Sequence, residues 1–208
     1  MEFDAIRSSV AAYYSSRLAE HGATARGVDW NGEASQELRF AQLARAFEGA
    51  ESRFSLNDYG CGYGALVPFL EARGHDFAYA GFDISPDMVE RARAELSARP
   101  DTVVVADDGE LESADYTVAS GIFNVKLDTP EEEWTRYALA TIERLAELTR
   151  GAFAFNMLTS YSDRDRMRPD LYYGDPGFVF DHCKHRYSRN VALMHDYGLY
   201  EFTTIVRL

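Results

Sequence analysis

The stretch NDYGCGYGAL, residues 57–66, follows the strand-like SRFSL and sets an acid, Asp58, two residues ahead of Gly60, Gly62 and Gly64. Glycines that leave a strand and enter a helix let backbone N–H groups approach a ligand closely, because no Cβ stands in the way. Gly60, Gly62 and Ala65 also satisfy the relaxed dinucleotide pattern G-x-G-x-x-G/A, which admits NAD. Asp58 argues against that ligand, since its carboxylate would repel a pyrophosphate and attract a cation. A second acid, Asp83, closes YAGFDIS and suits the paired hydroxyls of a ribose in either kind of nucleoside ligand. Asp107 and Asp108 end VVVADDGEL, and the segment ASGIFNV brings backbone into the open at Ser120 and Gly121.

These residues need strands to carry them to one place. Short apolar runs at RFSLNDY, FAYAGFDI, TVVVADD, YTVASGI and GAFAFNML alternate with helical patterns, which predicts a parallel sheet covered by helices on both faces. Two more runs, NVALMHDY and YEFTTIVRL, bring the strands to seven; the residues GL between them are too few for a crossover, so they form an antiparallel hairpin. Ser85 followed by Pro86 marks one helix start, and TPEE at 129–132 reads as a capping box at another. Met88, Val89, Ala92 and Leu96 line a face of the first helix; Trp134, Ala138, Ile142 and Leu145 line the second. Before the first strand, helical spacing over residues 1–20 and again after Ser35 predicts two helices joined by a loop, HGATARGVDWNGEAS. The fold class is α/β: a three-layer α/β/α sandwich around a seven-stranded, mostly parallel sheet with an antiparallel C-terminal hairpin.

A chain of 208 residues, 46% hydrophobic, is long enough for one substantial core, and nothing in it reads as a linker. One domain over residues 1–208 is expected. The net charge of −13 disfavours a nucleic acid and points to a small-molecule partner. Two cysteines make no disulfide framework, and no metal-ligand spacing occurs, so no metal is expected. No basic start with an apolar stretch and no run of membrane length is present, which predicts a soluble, cytoplasmic protein with no membrane partner.

Asp58, Gly60, Gly62 and Gly64 read D-x-G-x-G-x-G, and from about residue 53 to 208 the sequence resembles the class I S-adenosylmethionine-dependent methyltransferases. The resemblance implies a Rossmann-like core at 51–208, an N-terminal helical lid at 1–50, and S-adenosylmethionine as cofactor, released as S-adenosylhomocysteine. It implies that the turn, with Cys61, passes beneath the methionine part, whose amino group Asp58 receives. Asp83 would then bind the ribose, Ile84 and Met88 would pack near the adenine, and Asp107 or Asp108, preferably Asp107, would bond its amino group. Gly121, Ile122, Phe123 and Asn124 would line the mouth, with Tyr13 and Trp30 of the lid meeting cofactor or acceptor. Arg39 would meet the cofactor's carboxylate or Asp58. The expected reaction is methyl transfer to a small-molecule acceptor, O- or N-methylation by in-line displacement. A small NAD-binding oxidoreductase and a non-catalytic S-adenosylmethionine-binding module are the alternatives.

On the acceptor side, the loop LTSYSDRDRMRPDLYYGDPGF at 158–178 is long for a connection. Tyr161, Arg166, Arg168, Tyr172 and Tyr173 are expected to shape a pocket there for an anionic or sugar-like group. His195, in MHDYG at the end of the sixth strand, is the candidate base, with Tyr161 beside it in the catalytic set. The aromatic stripe Tyr197, Tyr200 and Phe202 reads as core or as a dimer surface; a monomer and a homodimer are both compatible with it.

Overall fold

The computed structural model describes residues 3–50 and 52–208. Two helices, α1 (Asp4–His21) and α2 (Glu33–Ala44), precede a sheet of seven strands: β1 (Phe54–Tyr59), β2 (Phe77–Phe82), β3 (Thr102–Val105), β4 (Ala114–Ala119), β5 (Thr149–Leu158), β6 (Asn190–Met194) and β7 (Glu201–Arg207). The connecting helices are α3 (Leu66–Glu71), α4 (Pro86–Glu95), α5 (Glu131–Glu147) and α6 (Pro176–Arg186). Among the described residues, no helix is long and apolar enough to cross a membrane.

The strands lie in the order β3-β2-β1-β4-β5-β7-β6, parallel from β3 to β5 and antiparallel where β7 meets β5 and β6. The direction of winding reverses between β1 and β4. The carboxyl ends of those two central strands therefore flank the crevice where open α/β sheets bind ligands.

Each face of the sheet buries its own core. Phe40 and Leu43 of α2, Val67 and Leu70 of α3, and Val89 and Ala92 of α4 cover Leu56, Phe77, Val118 and Ala154 on one face. Ile6 and Val10 of α1, Trp134, Ile142 and Leu145 of α5, and Val179 and Cys183 of α6 cover Phe82, Phe153, Phe155 and Val206 on the other. The helical stripes expected after Pro86 and Pro130 are these buried faces. Trp134 also reaches the site: its indole N–H donates to the carbonyl of Phe123 at 2.9 Å, anchoring the segment after β4 to α5.

Ser85 caps α4 as expected, accepting the N–H of Met88, with Pro86 in the first turn. The capping box at 129–132 does not form. Pro130 itself occupies the cap position, leaving Thr129 one residue outside, and Glu131, Glu132 and Glu133 complement the helix dipole instead. The hairpin connection is also longer than two residues, because β6 stops at Met194 and β7 begins at Glu201. Of the hairpin aromatics, Phe202 is fully buried and Tyr197 shares a hydrogen bond with Thr203, so Tyr200 alone is largely exposed.

Candidate functional site

The glycine turn after β1 is latched to the end of β2. The N–H groups of Gly60 and Cys61 both donate to the carbonyl of Phe82, at 2.7 and 2.9 Å, and that of Gly62 donates to Asp83 Oδ2 at 2.8 Å. Gly60 takes φ +83°, and a Cβ there would lie 2.2 Å from Cγ2 of Ile122, so only glycine lets the rim of β4 close over the turn. The amides that would cradle a pyrophosphate thus have partners within the chain.

Asp83 holds this corner together. Its other oxygen accepts the N–H of Ser85 at 2.9 Å, and burial lifts its carboxyl to about 6 although both amide bonds pull the other way. Asp83 faces a cleft with Ile84 and Met88, closed by Gly121 and Ile122 after β4, Trp30, and the aromatic rings of Tyr14, Tyr59, Phe82 and Tyr137.

Asp58 lies deeper, in a small adjoining cavity lined also by Gly60, Cys61, Gly62 and Ser120. It is 3% exposed and takes one hydrogen bond, from the Tyr79 hydroxyl at 2.8 Å. Burial is the largest cause lifting its carboxyl to about 7; the Tyr79 bond opposes this and Asp83 adds to it. Among the described residues, no cation pairs with Asp58. A buried carboxylate facing a cavity with no counter-charge fits the ammonium end of an amino-acid ligand.

On the other side of Trp30 opens a cavity of about 330 Å³, lined by Asp29, Asn31, Arg39, Asn124, Ser162, Arg166, Arg168, Tyr173, Tyr200 and Glu201 among others. Trp30 and Val28 border all three spaces, and with Tyr14 and Gly121 they form the wall that the cleft and this cavity share. A Cβ on Gly121, at φ +75°, would lie 2.3 Å from two atoms of the Trp30 indole, so the two residues are fitted edge to backbone.

Several expected residues stand elsewhere. Arg39 meets neither Asp58 nor the space beneath the turn. Its Nε and Nη2 grip both oxygens of Glu201 on β7, at 2.8 and 2.5 Å, and its guanidinium lies 3.8 Å above the Trp30 ring. The pair is buried, so Glu201→Leu should strand a charge and destabilise the protein by about 3–5 kcal/mol, whereas Arg39→Met with Glu201→Leu should be close to neutral. Urea denaturation of the two variants checks this.

Neither candidate for the adenine amino group lines the cleft. Asp107 is exposed and accepts from the N–H of Gly109, while Asp108 is held by Arg7 and Arg144 and by the Tyr59 hydroxyl. Phe123 is fully buried against Phe155 and Tyr172 is buried with its hydroxyl on Thr135, so both are core residues and not cavity walls.

The rings of His195 and Tyr161 lie 6.0 Å apart, tilted by 40°, and both residues are exposed outside the cleft. The strand order explains it: β7 inserts between β5 and β6, leaving the end of β6 three strand spacings, about 14 Å, from β4. A base role for His195 is not supported by this placement. Trp30, Asn124, Arg166, Arg168 and Tyr173 do converge on the large cavity, and Tyr13 stands behind its wall with its hydroxyl on Asp29.

Residues that the sequence did not single out complete the site. Val10 and Tyr137 close the cleft from α1 and α5, and Asn31 and Glu201 line the larger cavity. Glu201 had a signal, an acid inside an otherwise apolar strand pattern. Tyr137 had none, since it neighbours the buried stripe of α5 without belonging to it.

An open sheet with acids at the ends of β1 and β2, facing a crevice at the switch point, defines an α/β protein for a nucleoside ligand that carries a cationic group. Comparison with known proteins narrows this. Residues 58–149 match the model of a methyltransferase domain. Rv1506c of Mycobacterium tuberculosis, provisionally named a methyltransferase, is 51% identical over 158 residues, covering 76% of this chain and 95% of the relative. Among solved structures, magnesium protoporphyrin IX methyltransferase (ChlM) of Synechocystis PCC 6803 with bound SAM superposes with a TM-score of 0.64 at 15% identity, over 97% of this chain and 95% of that one. The CcbJ methyltransferase of Streptomyces caelestis superposes with a TM-score of 0.57 at 14% identity, over 85% and 92% of the two chains. The chain belongs to the class I S-adenosylmethionine-dependent methyltransferases.

Proposed function

We propose that the cleft and the smaller cavity together hold S-adenosylmethionine, with Asp83 on the ribose hydroxyls, Ile84 and Met88 against the adenine, and Asp58 on the ammonium. The bound cofactor supplies an electrophilic methyl group. The chain's part is to align a small-molecule acceptor in the cavity beyond Trp30 for O- or N-methylation, and to exclude water from the gap. Residues 1–50 act as a lid on the core formed by 51–208, contributing Val10, Tyr14, Val28 and Trp30 to the walls. The observation that carries the reading is Asp58, a buried carboxylate without a cation at the end of β1.

Crystals soaked with S-adenosylhomocysteine test the assignment. Ribose density within hydrogen-bonding distance of Asp83 and amino-acid density at Asp58 are expected; a ligand bound elsewhere would overturn it. If the lid helps to hold the cofactor, Trp30→Ala should weaken S-adenosylhomocysteine binding about tenfold, the equivalent of one aromatic contact of about 1.4 kcal/mol. Unchanged affinity in a calorimetric titration would remove Trp30 from the binding site.

A further inference from the structure

We infer that the methyl acceptor is a carboxylate and that the product is its methyl ester. The inference rests on the reading of the cleft as the cofactor site and concerns the cavity on the far side of Trp30. Three guanidinium groups, of Arg39, Arg166 and Arg168, and two carboxylates, of Asp29 and Glu201, line that cavity; Arg39 is neutralised by Glu201 and Arg168 by Asp170, which leaves Arg166 as the guanidinium without a close acidic partner. The two acids are engaged on both oxygens. Asp29 accepts from the Tyr13 hydroxyl at 2.8 Å and faces Arg17 at 3.1 Å, and Glu201 is gripped by Arg39. Arg166 is the reverse case, largely exposed at the cavity with only a loose approach to Asp165 at 3.9 Å. Arg168 stands beside it, with an Asp170 partner.

This arrangement sorts the acceptor classes. A hydroxyl or an ammonium acceptor must give up a proton, and among the described residues lining the cavity there is no histidine, lysine or cysteine and no unengaged carboxylate to take it. Burial pushes the Tyr14 hydroxyl far up, so it stays a donor. A neutral amine needs no base, but its cationic reservoir form would meet the unpaired Arg166 guanidinium. A carboxylate is already an anion and a nucleophile, and a free guanidinium binds it through two parallel N–H···O bonds. In the transfer, a carboxylate oxygen forms the new bond to the methyl carbon as the carbon–sulfur bond breaks and the sulfur keeps the electron pair. No proton moves.

The test uses the whole chain, S-adenosylmethionine labelled in the methyl group, and a small-molecule extract of the source cells. Methyl esters release methanol in mild alkali, whereas methyl ethers and methylamines do not. Transferred label that becomes volatile after alkali is expected; alkali-stable label would overturn the inference. A binding arm decides the case in which the extract yields no labelled product: succinate, benzoate and glucuronate, with the corresponding amides, are titrated into the protein saturated with S-adenosylhomocysteine. Saturable binding of at least one carboxylate and of no amide, weakened about tenfold by Arg166→Gln with Arg168→Gln, is expected. Binding of none, or binding indifferent to the arginines, would overturn it. Failure of S-adenosylhomocysteine itself to bind would sink the cofactor assignment and this inference with it, whereas its binding alongside alkali-stable label would sink this inference alone.

Discussion

Asp83→Ala should lower the affinity for S-adenosylhomocysteine about a hundredfold and also destabilise the protein without ligand. The carboxylate serves two partners. Within the chain it accepts the buried N–H groups of Gly62 and Ser85, and removing it leaves both unsatisfied, at about 1–3 kcal/mol each. Toward the ligand it offers two oxygens to a pair of hydroxyls, and loss of such a bidentate contact, about 3 kcal/mol, is the hundredfold expected. Asp83→Asn keeps the shape and one of the two acceptors, so it should lose about half as much stability as alanine and still lose most of the ribose contact. Calorimetry and thermal unfolding on both variants separate the roles. Binding within threefold of the parent in both would mean that the ribose is held elsewhere.

The second large effect is the dependence of cofactor binding on pH. Burial lifts the Asp58 carboxyl to about 7, so the free protein holds it protonated in mild acid, while an ammonium ligand needs it ionised. Binding must then release a proton below pH 7. Affinity for S-adenosylhomocysteine should be level above about pH 7.5 and fall by up to tenfold per pH unit below 7, with Asp83, lifted to about 6, steepening the fall further down. Asp58→Asn should bind about thirtyfold more weakly at pH 8, an ionic hydrogen bond of about 2 kcal/mol, and should lose the part of the dependence that Asp58 causes between pH 6 and 7.5.

The sign for stability is opposite. Both carboxyls titrate higher in the folded chain than in the unfolded one, so between pH 4 and 7 the unfolded state gives up its protons first and the ligand-free protein loses stability as pH rises. The melting temperature without ligand should therefore fall from pH 5.5 to 8, while the increase produced by S-adenosylhomocysteine should grow.

Two corners of the candidate cofactor site were legible in the sequence because they are local. Asp58 with the glycine turn, and Asp83 with Ser85 and Pro86, are strand ends running directly into helices, and a few consecutive residues settle their geometry. Other cofactor-side expectations depend on contacts distant in the chain. Asp108 is taken by Arg7, 101 residues away, and Arg39 by Glu201, 162 residues away, and neither pairing leaves a local pattern. His195 was misplaced by the strand order: seven strands and a hairpin were readable, but that β7 would lie inside β6 was not, and this carries the end of β6 away from the crevice. Phe123 went to the core because the chain turns at Gly121, φ +75°, sending Phe123 toward Phe155 and leaving Asn124 at the cavity. The loop at 158–178 yielded both outcomes, Arg166, Arg168 and Tyr173 at the cavity and Tyr172 in the core.

A calorimetric titration at pH 8 of the unmodified chain with S-adenosylhomocysteine and, in parallel, with NAD bears most directly on Asp58 as an ammonium site and on a turn whose amides are already bonded. One saturable site for S-adenosylhomocysteine and no heat from NAD is the predicted result; NAD binding of comparable strength, or no binding of S-adenosylhomocysteine, would contradict it.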